Sequence, residues 1–390
     1  MHNFNYYSPT EIVFGLDTEY KVSRYIKKYG GSRVMIVYGG GSVKRSGLLD
    51  RVKQCLEESG ISYVEFGGVQ PNPRLQHARE GVKLAIEEKI DFMLAVGGGS
   101  VIDTAKAVSY GAAVPEIDIW DYWCGKEKPF KALPTGVILT IPAAGSESSN
   151  SAVLTNTEIK MKRGLSTDLN RPRFAIMNPE LCYTLPDYQV SCGITDIMMH
   201  TMDRYFNPVD NELTDALAEA LLRTVIAQGR VLVKDKTSYD AMSDIMWAGS
   251  LSHNGLTGLG GNGDWAVHQL GHGLSAIYDL AHGASLAAVW GSWAKYVYME
   301  KPSRFARYAR NVWGITEEDD VKAAEAGIAA TVEYFRSINM PVSLTEAVGS
   351  RNEEQLEALA ENCSYSGTRT IGSFRKLDKS DIYNIYKAAN

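Results

Sequence analysis

The chain has 390 residues, 45% hydrophobic and 22% charged, with a formal net charge of -6. That length exceeds what one hydrophobic core usually supports, so two domains are expected. The mild acidity speaks against nucleic acid as a partner, and no stretch approaches the ~18 unbroken apolar residues that span a bilayer.

The opening, MHNFNYYSPTEIVFG, has neither the basic head nor the apolar core of a secretory leader. The cysteines (Cys55, Cys124, Cys182, Cys192 and Cys363) are odd in number and form no C-x-x-C pair. They read as reduced thiols of a cytoplasmic protein rather than as a disulfide framework or a zinc knuckle. Along the first half, short β-rich runs alternate with helical periods, as in a parallel α/β sheet. Strands are expected over 33–38, near 62–66, over 92–96 and over 136–141, with helix over 81–88. Beyond about Pro186 long helical periods dominate, over 212–231, 239–252 and 321–338. The expected architecture is an α/β dinucleotide-binding domain over residues 1–184 and an all-α metal-binding and substrate domain over 185–390.

The apolar run ending at Val96 leads directly into Gly97, Gly98, Gly99 and Ser100, and a helix follows. Glycines let backbone approach a pyrophosphate, and free N–H groups at a helix start face the anion. Asp103 is placed to hold a ribose or amide group, or simply to stabilise the first turn against the helix dipole. The earlier run, ending at Tyr38, leads into Gly39, Gly40, Gly41 and Ser42, with Lys44 close behind. NAD sites commonly carry a carboxylate after an early strand, which would repel the 2′-phosphate of NADP. No acid stands here, which favours NADPH. The small polar loop from Thr140 to Ser151 suits a nicotinamide pocket, and Lys160 and Lys162 would share one face of a strand.

Asp196 and His200 are one helical turn apart and share a face. His268 and His272 are likewise i and i+4. His282 follows His268 by fourteen residues, about 21 Å along one straight helix. Those two can share an ion only if the chain bends between them, so spacing alone selects His268 with His272. An Asp–His set of this kind suits a divalent first-row metal.

Together these segments resemble the iron-containing (group III) alcohol dehydrogenases of the dehydroquinate synthase-like superfamily. Within it they look like the NADPH-dependent butanol dehydrogenase and aldehyde reductase branch. The resemblance rests on PTEIVFG from Pro9, QPNP from Gln70, GGGSVIDTAKA from Gly97, IPAAGSE from Ile141, GITDIMMH and GDWAVHQLGHGLSAIYDLAHG. It implies an α/β nucleotide domain before a helical domain, with metal and nicotinamide meeting between them. It also implies a metal held by Asp196, His200, His268 and His282, against the choice from spacing, with His272 beside cofactor and substrate as the catalytic residue in proton transfer. The implied cofactor contacts are Gly39 and Ser42 near the 2′-phosphate, then Gly40, Asn72, Gly97, Gly98, Gly99, Ser100 and Asp103. Thr140, Ser149 and Lys162 follow in the nicotinamide pocket. One departure stands out: the family usually reads PATGSE, and here Ala144 replaces the threonine.

The activity so implied is hydride transfer between NADP(H), favoured over NAD(H), and an aldehyde or primary alcohol such as butanal or butanol. The metal would be Fe²⁺ or, as in some relatives, Zn²⁺, acting as a Lewis acid. A homodimer is the implied assembly, and Trp265 and Tyr278 are apolar candidates for the substrate pocket. The alternatives are an NAD-dependent alcohol or polyol dehydrogenase, or a non-redox metal enzyme such as a cyclising lyase or a hydrolase. A phosphate-handling lyase needs extra cations near the metal, where only Arg204 stands. A hydrolase needs a general-base carboxylate beside the ligands, as in H-E-x-x-H, which is absent.

Overall fold

The computed structural model describes all 390 residues, which form two compact units. One comprises Tyr7–Leu185; the other joins Met1–Tyr6 to Pro186–Asn390. The first six residues thus depart from the sequence expectation. The His2 N–H donates to the Gly260 carbonyl at 2.8 Å, which ties that end to the helical unit. No helix is long and apolar enough to cross a membrane.

The α/β unit runs β1 (Glu11–Phe14), α1 (Val22–Lys28), β2 (Arg33–Gly39), α2 (Ser42–Arg45), α3 (Leu48–Glu58), β3 (Ser62–Val69), α4 (Leu75–Glu87) and β4 (Phe92–Gly97). It continues through α5 (Gly99–Ala113), α6 (Ile119–Cys124), β5 (Thr135–Leu139), the hairpin β6 (Ser151–Asn156) and β7 (Met161–Ser166), and β8 (Phe174–Met177). Six strands form one sheet in the order β1-β8-β5-β4-β2-β3, every pair parallel. Burial on both faces explains the unbroken apolar runs of β2 and β4. Val34, Ile36, Phe92, Leu94 and Val96 pack in one cluster with Leu48, Leu49, Val52 and Leu56 of α3.

From β2 the chain goes outward to β3 and returns to β4 on the other side of β2. The connections leaving β2 and β4 therefore diverge, which opens a crevice at the carboxyl ends of those two strands. Both glycine-rich turns, 39–41 and 97–99, lie at that crevice.

The second unit is helical: α7 (Asp187–Tyr205), α8 (Glu212–Leu232), α9 (Tyr239–His253), α10 (Ala266–Tyr278), α11 (His282–Val297), α12 (Pro302–Trp313), α13 (Asp320–Ser337), α14 (Leu344–Val348), α15 (Glu353–Ser364) and α16 (Lys379–Ala389). Nearly all of α7 from Val190 onward is buried, so its polar residues Asp196, His200 and Asp203 lie inside the fold. Buried groups of that kind persist only when paired or when they bind something.

Candidate metal centre

Helix α7 brings Asp196, His200 and Asp203 to one face at i, i+4 and i+7. Opposite stands α10 with His268 and His272. The bend that spacing left open is real: α10 stops at Asp279, whose φ of 53° is left-handed. His282 then opens α11. Gly283 permits the close approach, because a Cβ there would collide with the Cys192 backbone of α7. The His268 and His282 rings consequently lie 5.4 Å apart.

Asp196 Oδ1 is the hub, at 3.4 Å from His200 Nδ1, 3.8 Å from His268 Nε2 and 3.6 Å from His282 Nε2. Donors bound tetrahedrally at ~2.1 Å stand about 3.4 Å apart, so these separations suit a single ion. Asp196, His268 and His282 have donors all within 4.8 Å of one another. His200 falls outside that group of three: its Nδ1 meets Asp196 Oδ1, and its ring lies 4.5 Å from that of His268. Asp196 Oδ1, His200 Nδ1 and His268 Nε2 are buried and have no hydrogen-bond partner. Orphaned polar atoms gathered around Asp196 are costly unless something is bound there, so Asp196, His268 and His282, with His200 adjoining, fit a divalent cation. His272 lies alongside rather than among them, its ring 6.4 Å from His268 and 5.6 Å from His282.

The buried His200 and His268 sit in opposite electrostatic environments. Burial, then the neighbouring His253 and His268, hold His200 well below the usual imidazole range, so it stays neutral. Burial works against charge on His268 too, but the neighbouring Asp196 and Asp203 carboxylates outweigh it and raise its pKa. His268 Nδ1 lies 2.5 Å from Asp203 Oδ2. An ionised carboxylate only accepts, so the ring donates from Nδ1 and its Nε2 lone pair faces Asp196.

Sequence reasoning passed over Asp203, His253 and Asp264. Asp203 was visible as the third member of an i, i+4, i+7 face. His253 carried no such signal, yet its ring packs 4.0 Å from that of His200. Asp264 accepts backbone N–H bonds from Ala266, Ser373 and Phe374. Burial pushes its carboxyl up to about 6. Trp265, at a left-handed φ of 63°, is covered by the Arg204 guanidinium at 4.4 Å. Tyr278 ends α10 under Arg351, whose guanidinium lies 5.4 Å from its ring.

In the α/β unit, Gly39 ends β2, Gly40 and Gly41 turn, and Ser42 opens α2. Lys44 lies 5.0 Å over the Tyr38 ring and 3.9 Å from Glu65 on β3. Gly97 ends β4, and Gly98 leads into α5 with Gly99 and Ser100 in its first turn. The Thr140 N–H donates to the Gly97 carbonyl at 3.1 Å. Asn72, at φ 53°, accepts from the buried Lys162 ammonium at 2.9 Å. Asp103 turns toward the 143–153 segment, which contains the buried Ser149. Lys160 corrects the expectation of a shared strand face: it occupies the β6–β7 turn at φ 48°, and β7 begins after it.

Comparison with known proteins gives a consistent result. Residues 9–179 match the family model for iron-containing alcohol dehydrogenase. Residues 190–390 match the C-terminal model of the same Fe-containing family. NADH-dependent butanol dehydrogenase A of Clostridium acetobutylicum is 39% identical over 99% of both chains. NADPH-dependent aldehyde reductase YqhD of Escherichia coli is 37% identical over 100% of both. The crystal structure of NADH-dependent butanol dehydrogenase A from Thermotoga maritima superposes with a TM-score of 0.96 at 37% identity, covering 100% of this chain and 99% of that one.

Proposed function

The chain belongs to the iron-containing alcohol dehydrogenase family and is an oxidoreductase of that class, and from this premise we propose that it reduces small aldehydes with NADPH. When bound, the reduced nicotinamide would supply the hydride for the carbonyl carbon, and with a proton for the oxygen the balanced products are alcohol and NADP⁺. The observation that carries the reading is the convergence of orphaned Asp196, His200 and His268 donors with His282. Those four residues would hold the metal, Fe²⁺ by family or Zn²⁺ by the same donor chemistry. When bound, the ion supplies Lewis-acid polarisation of a carbonyl.

The remaining tasks fall to side chains and backbone. Asp203 fixes the tautomer and angle of His268. His272, beside the ligand set, is the proton carrier. Free N–H groups at the start of α5, after Gly97 and Gly98, receive the pyrophosphate. Asp103, Thr140, Ser149 and the Lys162–Asn72 pair serve the nicotinamide side.

Relatives are named for NADH in some cases and NADPH in others, so cofactor choice rests on this chain's own turn. Gly39, Gly40 and Ser42 supply no carboxylate, and Lys44 supplies a cation for a 2′-phosphate. The excess of reduced NADPH that cells maintain sets the direction toward alcohol. We assign a homodimer on the family's implication and a cytoplasmic location on the five unpaired cysteines. The test is oxidation of NADPH and of NADH by butanal, measured separately. A higher kcat/KM with NADPH, lost on chelation, is expected; an equal or higher value with NADH would overturn the cofactor assignment.

A further inference from the structure

We propose that Lys106 is a positioning residue that presets the nicotinamide-side loop, residues 143–153, before any cofactor arrives. This rests on the reading that the loop lines the nicotinamide pocket. Lys106 lies on α5 and is only 1% exposed. Its ammonium donates to the Ser146 carbonyl at 2.7 Å, to Ser146 Oγ at 2.8 Å and to the Ser151 carbonyl at 2.8 Å. An ammonium has three hydrogens, so the loop consumes them all. One turn earlier, Asp103 accepts from Ser146 Oγ at 2.6 Å and from the Val153 N–H at 2.9 Å. Ser146 Oγ therefore relays between a buried cation and a buried anion.

The rest of the loop is tied in the same sense. Arg171 donates to the Ser148 carbonyl and Asn170 to the Asn150 carbonyl, each at 2.9 Å. Four carbonyls between Ser146 and Ser151 are thus fixed to the body of the unit. Burying an ammonium is unfavourable, and the cost is offset here by Asp103 and by three oxygen acceptors that would be stranded without it. What the ammonium adds is a unique loop geometry, so binding does not have to order the loop. Burial, opposed by Asp103, brings Lys106 down only to about 8, so it remains a cation at neutral pH.

The test is Lys106→Met, with hydrogen exchange of the 146–151 amides in nucleotide-free protein, melting temperature, and affinities for NADPH and for 2′,5′-ADP, which lacks the nicotinamide. We expect a lower melting temperature, faster loop exchange, roughly tenfold weaker NADPH binding and unchanged 2′,5′-ADP binding. Unchanged loop exchange overturns the proposal, as does equal weakening for both nucleotides. Should Lys106→Met not fold, Ser146→Ala removes only the relay, and there too unchanged loop exchange refutes the clamp. If wild-type protein binds neither nucleotide, the cofactor reading fails by itself, while loop exchange still decides the role of Lys106.

Discussion

Asp203→Asn tests whether the buried carboxylate behind His268 sets the metal site. Asp203 is 1% exposed and His268 5%, and their 2.5 Å contact is shielded from water and salt. Asparagine keeps the shape, loses the charge, and offers an N–H that opposes the ring N–H if it rotates. A buried hydrogen bond to a charged group is worth about 1.5–3 kcal/mol. That corresponds to metal binding weakened by about 10- to 100-fold. Metal-free protein would be titrated with Zn²⁺ or Co²⁺ against a chromophoric chelator. Asp203→Glu, which restores the charge with a longer arm, should recover part of the affinity. Wild-type affinity in Asp203→Asn would refute the idea that this contact presents Nε2 to the ion.

The ligand assignment separates two histidines. His282→Ala should lose bound metal by elemental analysis, whereas His272→Ala should keep it and lose turnover; the reverse would restore the pairing that spacing alone selects. Gly39→Asp is sterically open, since a Cβ there meets only ordinary contacts, 3.5 Å from the Val69 carbonyl and 3.8 Å from Val101. Repulsion between the new carboxylate and a 2′-phosphate should lower kcat/KM for NADPH by about 100-fold, with NADH spared, in steady-state assays. An equal loss with both cofactors would place the 2′-phosphate elsewhere. Lys106 also predicts a pH effect. Burial lowers its pKa in the folded chain to about 8, below the ordinary lysine value of 10.5, so between these values the unfolded chain binds more protons. Its contribution to stability therefore rises with pH across that window and is lost as pH falls through about 8. Thermal melts of Lys106→Met should lack the rise seen in wild type.

The α/β and helical halves were legible because their periodicities differ, 2.0 against 3.6. The long runs at 212–231 and 321–338 fall within α8 and, to one residue, α13. The edge strand β1 and strand β8 were not legible: each is four residues long, too short for a pattern to declare itself. Helix α4 begins at Leu75, before the expected 81–88, because its first turns are largely polar and Gly81 interrupts the pattern. That glycine is a packing site: a Cβ there would press on Phe66 and Val108. At the metal centre the α7 pair was readable from spacing, but the break at Asp279 was not. A left-handed aspartate ending a helix leaves little mark in composition, so the joining of His268 to His282 needed the fold or the resemblance. Lys106 likewise looked like an ordinary lysine of a helix until the structure showed that its ammonium is enclosed.

The most direct measurement is a titration of chelator-stripped protein with Fe²⁺ while butanal oxidises NADPH. The account predicts no turnover at the start and full recovery at one equivalent of metal per chain. Full turnover in the metal-free protein, or none with any aldehyde after reloading, would contradict it.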